Sequence, residues 1–349
     1  MANRYWIGGS NTWDLTNTAV WSASSGGSGG ASVPTSSDNV FFDQAGTYSI
    51  ATDAVSEVPC YNITVSVGTY TFSTTGSTIG IYGSVTLHST TVWNKNLLMR
   101  GSDSRTLTTN GATLSSTTQL FCLTASVTLG SDITAATYTT HTSGTFDTAG
   151  YACSFGSFSP GGSSSATINW RNSAITIRNS GSVFVCTSTT FGPMLAEPTA
   201  TLTFSASTAY SNFINIAGTS QSITIPKING GSGSGTGTIR FLLNTNNVVY
   251  DVQATATGSR TLQFENSNTK FANFNFRGQS GNPYTLKSNT AGTARTITKP
   301  GTWYMGANST NVSNNTNLTF TAGGGIDYLS VQDITGSALP TGNFLPLML

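Results

Sequence analysis

Side chains that could carry out acid–base chemistry are few in this sequence and lie far apart. A glycan-cleaving enzyme needs two carboxyl groups about 5 to 9.5 Å apart in one groove. The sequence contains no Asp-x-Asp or Glu-x-Asp pair. The acidic residues in the central part of the chain are Asp103, Asp132, Asp147, Glu197, Asp251 and Glu265. Because stacked coils can bring distant acids together, a hydrolase or lyase stays an alternative, but the sequence favours a non-enzymatic protein.

Metal and cofactor chemistry is also disfavoured. The chain has two histidines, His88 and His141, and neither lies in a metal-ligand pattern. Its four cysteines, which show no CxxC spacing, are Cys60, Cys122, Cys153 and Cys186. The glycine runs at 24–30 and 230–237 lack the Lys-Ser/Thr ending of a phosphate-binding loop. We therefore expect no cofactor and no metal, and we interpret the cysteines as small apolar residues of a core.

The composition is that of an ordered β protein with very little charge. Charged residues make up 8% of the chain and the formal net charge is +1, whereas Phe, Tyr and β-branched residues are abundant. A nearly neutral protein has no electrostatic attraction for nucleic acid or an anionic membrane surface. No apolar run reaches the roughly 18 residues of a membrane span, and no signal peptide follows Met1. The sequence predicts no nucleic-acid partner, no membrane insertion and synthesis in the cytoplasm.

A short alternating pattern of apolar and polar residues recurs along the chain. Four-residue cassettes begin at positions 62, 84, 105 and 126, so the interval between them is almost constant. Similar cassettes begin at 174 and 222. The interval from 126 to 174 equals the interval from 174 to 222, and each is a little over twice the earlier spacing, which predicts roughly two coils in each interval. A constant period of about 20 to 50 residues is typical of solenoids. We therefore predict an all-β fold, a right-handed, single-stranded parallel β-helix (solenoid) whose body covers residues 44–335.

Two segments interrupt this pattern. The cassettes become indistinct between Ala135 and Gly162, which we interpret as a wide coil or a lateral loop. A second segment, Gly230 to Gly237, consists of Gly, Ser and Thr. It could be a linker between domains, but strand-like cassettes continue on both sides of it. The sequence therefore favours a turn excursion within one stack.

The first 43 residues are rich in tryptophan. Trp6, Trp13 and Trp21 lie close together on a background that resembles loops. The terminal coil of a solenoid exposes an apolar cross-section and unpaired backbone groups, which must be covered. We predict that residues 1–43 form an N-terminal cap, with the Trp rings over the first coil and with Phe41 and Phe42 entering the first strand.

The last residues, 336–349, form an apolar tail. Its large apolar side chains include Phe344, Leu345, Leu347 and Leu349. A free tail of this kind would promote aggregation unless it were docked. Two hypotheses remain open: the tail covers the end of its own stack, or it inserts into a neighbouring subunit.

The N-terminal pattern resembles the opening of a family of bacteriophage virion proteins that are often described as tail-fibre-like. The matching residues are Tyr5-Trp6-x-Gly8-Gly9-x-x-x-Trp13-Asp14, Trp21-Ser22, Val33-Pro34 and Asp38-x-Val40-x-Phe42-Asp43. Near the other end, the blocks 271–278, 282–288, 302–309 and 326–333 are also similar to that family. There the block like 326–333 precedes the block like 302–309, whereas this chain has the reverse order.

This resemblance implies a location and partners. Proteins of this kind are commonly homotrimers, so the chain is expected to assemble with itself and with other virion proteins. The expected function is that of a non-enzymatic virion protein, a tail fibre or tail spike subunit that contacts a host-surface glycan during host attachment. One alternative is a capsid decoration or fibre protein on the head. A second alternative is a tailspike enzyme that degrades glycans.

Overall fold

The structure is a computed structural model, and it describes the chain from residue 1 to residue 204 with gaps. The described ranges are 1–116, 118–122, 124–139, 143–159, 166–179, 181–186, 194–197 and 199–204, with the backbone of further strands from Tyr210 to Val331. The chain divides into two compact units, residues 1–174 and 175–349. The predicted tail, 336–349, lies outside the described residues.

The first unit consists of short strands and one 3-10 turn at Thr18–Val20. The strands are, in chain order, β1 (Asn3–Trp6), β2 (Asn11–Trp13), β3 (Trp21–Ser22), β4 (Asn39–Phe42), β5 (Thr47–Thr52), β6 (Val58–Cys60), β7 (Ile63–Val65), β8 (Thr69–Phe72), β9 (Ile79–Ile81), β10 (Val85–Thr86), β11 (Val92–Trp93), β12 (Leu97–Met99), β13 (Ser104–Thr108), β14 (Thr113–Leu114), β15 (Gln119–Cys122), β16 (Ser126–Leu129), β17 (Ile133–Thr139), β18 (Thr145–Asp147), β19 (Cys153–Ser159) and β20 (Thr167–Arg171).

These strands stack in parallel on three faces. The first face runs β1, β4, β7, β10, β13, β16, β18 and β20. The second face runs β2, β5, β8, β11 and β14. The third face runs β6, β9, β12, β15, β17 and β19. The predicted parallel β-helix with a Trp-rich N-terminal cluster is therefore confirmed.

Alternating burial along each strand explains why the sequence forms these coils. On the first face, Ile63, Val85, Leu107 and Leu129 are in register at a constant sequence interval, and all four are buried. Successive side chains of a strand point to opposite sides, so one apolar residue in every two is enough to fill the interior. The third face adds aligned apolar pairs in the same way, and Cys60 and Cys122 fill positions in that core as expected.

The cassette that begins at 105 is one residue out of register with the cassette that begins at 84. Val85 pairs with Leu107, and Arg105 pairs with Val127. Arg105 therefore occupies an inward position and is only 6% exposed. The sequence pattern misled because Arg105-Thr106-Leu107 alternates in the same way as the apolar cassettes.

Of the two interpretations of the segment between Ala135 and Gly162, a wide coil or a lateral loop, the lateral loop is wrong for the described residues. This segment contributes β17, β18 and β19, which pair in register with their neighbours. Aromatic side chains, among them Tyr138, Phe155 and Phe158, fill the interior here. These strands are rich in Ser and Thr on their outer side, which obscures the pattern in the sequence.

The second unit is also built from parallel strands. They are, in chain order, β21 (Ala174–Ile177), β22 (Gly181–Cys186), β23 (Met194–Ala196), β24 (Thr201–Phe204), β25 (Tyr210–Ile216), β26 (Ile223–Thr224), β27 (Lys227–Asn229), β28 (Gly237–Leu243), β29 (Val248–Ala254), β30 (Arg260–Phe264), β31 (Thr269–Phe276), β32 (Tyr284–Ser288), β33 (Arg295–Thr302), β34 (Tyr304–Gly306), β35 (Thr310–Ser313), β36 (Thr316–Thr321), β37 (Ile326–Asp327) and β38 (Ser330–Val331).

One column of this unit runs β22, β25, β28, β30, β32, β35 and β38. The cassettes at 174 and 222 lie roughly two coils apart, as predicted, but in different columns. β21 stacks with β24 and β27, whereas Ile223 of β26 pairs with Met194 of β23. Met194 and Ile223 are further apart in the sequence than any two paired residues on the first face from β4 onwards. The coil between Met194 and Ile223 is therefore longer.

Two features that the sequence left open fall inside this second unit. The Gly/Ser/Thr segment at 230–237 lies between β27 and β28, so it does not separate the two compact units. The blocks around 304 and 327, which occur in the reverse of the expected order, lie on adjacent coils, because Met305 pairs with Ile326.

Candidate functional site

The three N-terminal tryptophans form one buried cluster. Trp6, Trp13 and Trp21 are all 0% exposed. The ring of Trp21 meets Trp6 and Trp13 edge to face, with centroids 5.1 and 5.2 Å apart. Phe42 packs against all three rings and also lies 5.0 Å from Phe72 of the next coil. The cluster is thus the first layer of the continuous core, in register with the coils beneath it.

A short antiparallel strand covers the edge of the first coil. β3 pairs with β1 so that Trp21 lies opposite Trp6, whereas β1 and β4 pair in parallel. The chain returns to this edge past Gly29, where any Cβ would collide with the carbonyl oxygen of Ala19. β3 thus pairs with part of the free backbone N–H and C=O groups of β1, the terminal strand. This pairing protects the edge from pairing with other chains. The predicted boundary of the cap at residue 43 stays a prediction. The strands β1, β2 and β4, which precede this boundary, already belong to the stack.

Phe41 and Phe42 both lie in a strand, β4, as predicted, but only Phe42 joins this cluster. The two residues are adjacent in a strand, so their side chains point to opposite sides. Phe41 is partly exposed and stacks on Tyr5, with ring centroids 4.8 Å apart and planes at 17°. It belongs to the outer surface of the first face.

Three of the acidic residues that the sequence singles out are engaged in structural contacts. Asp103 binds Arg105 at 2.9 Å, and Asp147 binds Arg171 at 2.8 Å. Asp132 accepts the backbone N–H of Ala152. Glu197 is exposed. The side chains of Asp251 and Glu265 lie outside the described residues.

Metal-binding groups do not cluster in the part of the chain that the structure describes. No group of three or more His, Cys, Asp or Glu residues that could hold a metal ion occurs among those residues. Burial raises the pKa of the Cys122 thiol to about 12 and also raises the pKa values of the Cys60 and Cys153 thiols. Such thiols remain protonated and unreactive at neutral pH. His141 and the side chain of Cys186 lie outside the described residues.

The outer side of the first face carries continuous ladders of polar side chains. Asn39 donates to the Asn3 side chain at 3.0 Å, and Asn62 donates to Asn39 at 2.9 Å. The next two coils continue this ladder, since the Ser84 N–H donates to Asn62 and the Thr106 N–H donates to Ser84. These bonds join one coil to the next on the solvent side and hold the outer surface in a fixed register.

A second ladder lies beside the first. It contains Thr64, Thr86 and Thr108, which are in register on β7, β10 and β13. Where these strands end, a groove of about 400 Å³ opens to solvent. We call it the ladder groove, and its lining residues are Thr64, Val65, Ser66, Thr86, Leu87, His88, Ser89 and Asn110.

No family model, no curated protein and no solved structure matches this chain. In the described residues, no helix is long and apolar enough to span a membrane. The volume of the ladder groove falls within the range of small-ligand sites, about 300 to 1,000 Å³.

The sequence alone indicates neither the groove nor its residues as a site. It suggests metal binding as the only candidate role of His88, and no motif includes Asn110. A partial signal was nonetheless present in the cassettes, because Thr64 and Thr86, which line the groove, each occupy the third position, between two buried residues.

Proposed function

We propose that the chain is a non-enzymatic structural protein of a bacteriophage virion, a subunit of a tail fibre or tail spike that contacts a host-surface glycan. The observation that carries this proposal is the ladder groove, which lies where parallel strands end and carries the side chains of Thr64, Thr86, His88 and Asn110. The resemblance of the N-terminal pattern to phage virion proteins supports the same assignment.

Several features of the first unit favour binding over catalysis. The lining of the ladder groove contains no carboxylate, and glycan cleavage requires two of them. The acids that the sequence singled out in the first unit, Asp103, Asp132 and Asp147, bind Arg105, the Ala152 N–H and Arg171 instead. A protein of this kind would hold its ligand without breaking it. We also propose a homotrimer, because closed symmetry hides lateral surface of the coils.

Immunogold labelling of intact particles tests this assignment. An antibody against the chain, imaged by electron microscopy, is expected to place gold at the tail. Gold over the head would instead support the alternative of a capsid decoration protein. Absence of gold from particles, with normal labelling of the purified protein, would overturn the virion role altogether. Particles of an unrelated phage serve as the control for antibody specificity.

A further inference from the structure

We propose that the ladder groove binds an uncharged oligosaccharide through direct hydrogen bonds from the side chains of Thr64, Thr86, His88 and Asn110. This rests on the proposed role in host contact and specifies its ligand class. The groove spans three adjacent coils, since Thr64 and Thr86 lie on β7 and β10 and Asn110 follows β13. A ligand would therefore lie along the stack and cross several coils.

The hydroxyl groups of the groove are available for a ligand. Those of Thr64, Ser66, Thr86 and Ser89 have no hydrogen-bond partner among the described residues. Each hydroxyl can donate one hydrogen bond and accept two. A sugar hydroxyl has the same mixed capacity, so the Thr64 and Thr86 hydroxyls, which are one coil spacing apart, about 4.8 Å, can bond to a polyhydroxylated chain.

The hydrogen bonds of His88 leave one ring nitrogen for a ligand. Its Nδ1 lies 2.7 Å from the Thr90 hydroxyl oxygen, and that hydroxyl donates to the carbonyl oxygen of Gly68 at 2.7 Å. Because the Thr90 proton is used by Gly68, we assign the proton of the first bond to His88 Nδ1. The Thr90 backbone N–H lies 3.4 Å from Nδ1, a longer contact that does not decide the tautomer. Nε2 is then left with a lone pair and accepts a hydrogen bond from a ligand hydroxyl.

Asn110 is held in a fixed position at the edge of the groove. Its backbone has φ 49°, which few residues other than Gly and Asn adopt. The side-chain amide donates to the Leu87 carbonyl at 2.9 Å, and its backbone N–H donates to the Ser131 hydroxyl at 3.0 Å. The carbonyl oxygen Oδ1 has no protein partner among the described residues, so it stays available to a ligand.

The absence of Lys, Arg, Asp and Glu from the lining determines the ligand class. An acidic glycan would require Arg or Lys to compensate its charge. A neutral glycan needs only hydroxyl, amide and imidazole groups. Binding should therefore be insensitive to salt between about 0.01 M and 1 M, although the Debye length falls from about 30 Å to about 3 Å over that range.

The test uses the full chain on an array of neutral and acidic oligosaccharides from bacterial surfaces. We expect binding to neutral members, and titration of the best one should give the same affinity at low and high salt. Binding confined to acidic members, affinity that falls with salt, or no binding to any member would each overturn the proposal.

Four variants locate the site. Thr86→Val keeps the shape of the side chain but removes its hydroxyl, and His88→Asn keeps a donor towards Thr90 but removes the group at Nε2. Each should weaken binding about tenfold. His88→Gln, which restores a polar group near the Nε2 position, should weaken it less than His88→Asn. The matched control is Thr128→Val, an exposed threonine of the same face outside the groove, which should leave affinity unchanged.

Circular dichroism melting checks that all four variants fold. Unchanged neutral-glycan affinity in both Thr86→Val and His88→Asn would exclude the ladder groove as the site. This result is separable from failure of the proposed function: gold on the tail without neutral-glycan binding refutes only the ligand class. Neutral-glycan binding without labelling of particles refutes only the virion role.

Discussion

Three strands of the first face, β7, β10 and β13, each contribute to two different surfaces, one in the interior and one facing solvent. Towards the interior, Ile63, Val85 and Leu107 are buried in register. Towards solvent, the next residues are threonines that repeat at the same interval. The inner repeat is required by packing, because every coil must fill the same cross-section. The outer repeat does not fill that cross-section, so substitutions on the two sides should have different consequences.

The largest effect is expected in the tryptophan cluster. Trp21→Ala should lower the free energy of unfolding by about 3 to 5 kcal/mol, because it removes a fully buried ring and leaves a cavity. The matched control is Phe41→Ala, which removes an aromatic side chain from the outer side of β4 and should cost about 1 kcal/mol. Denaturant unfolding of the two variants measures the difference. Equal costs would show that inner and outer aromatic residues do not differ as the burial pattern indicates.

A smaller effect is expected at the corners between faces. Gly76 has φ +87°, and a Cβ there would collide with the carbonyl oxygen of Thr52. Gly76→Ala should therefore cost about 2 to 3 kcal/mol, from backbone strain and from the collision. Gly111→Ala is the control, because φ is similar, +80°, but nothing lies within 4 Å of the added Cβ. It should cost only the strain, about 1 kcal/mol, and thermal melting separates the two contributions.

The next effect depends on pH and concerns Asp38, whose carboxylate binds both the start of the chain and a later part of the cap. It accepts hydrogen bonds from the Ala2 N–H at 3.0 Å and from the Thr35 hydroxyl at 2.8 Å. Burial alone would raise the pKa of this carboxyl, but the hydrogen bonds from Thr35 and Ala2 and the charge of Arg4 hold it below 3.8. The stabilisation is therefore complete above pH 3.8 and is lost as the pH falls through the lower folded pKa.

Asp38→Asn should cost about 1 to 2 kcal/mol at pH 7. The difference between this variant and the parent protein should shrink as the pH falls below 3.8, because the parent carboxyl then becomes protonated. Urea unfolding at several pH values measures this. A difference that stayed constant down to pH 2 would show that Asp38 contributes through shape alone.

Much of the fold could be predicted from the sequence, because the buried apolar residues recur at the regular interval of the cassettes. The register of Val85 with Ile63 and the burial of the three tryptophans both follow from period and composition. Positions that imitate the pattern could not be predicted. Arg105 alternates like an apolar residue, and Phe41 differs from Phe42 only by one position in the strand. The ladder groove could not be predicted either, because Asn110 joins it through a left-handed turn that local pattern does not reveal.

Arg105 is the residue that departs most clearly from the contrast between inner and outer surfaces. It occupies an inward position, yet it is charged and 6% exposed. Its Nη2 binds Asp103, whose side chain is 70% exposed, and its guanidinium lies 5.3 Å from the ring centre of Tyr61. The Nε atom is buried without a hydrogen-bond partner among the described residues. These contacts therefore compensate only part of the free-energy cost of burying the Arg105 guanidinium.

The smallest effect is accordingly expected for Arg105→Met. Methionine retains a long, flexible side chain that can pack over Tyr61, and it removes the cost of a buried cation. Asp103 would remain solvated, because it lies mostly in water. We expect a change of at most about 1 kcal/mol in unfolding free energy, in either direction. Arg105→Ala, which removes the packing as well, should cost about 2 kcal/mol. A loss of about 3 kcal/mol or more in the methionine variant would mean that the interior of this coil requires the charge, and that the inner surface is not defined by apolar packing alone.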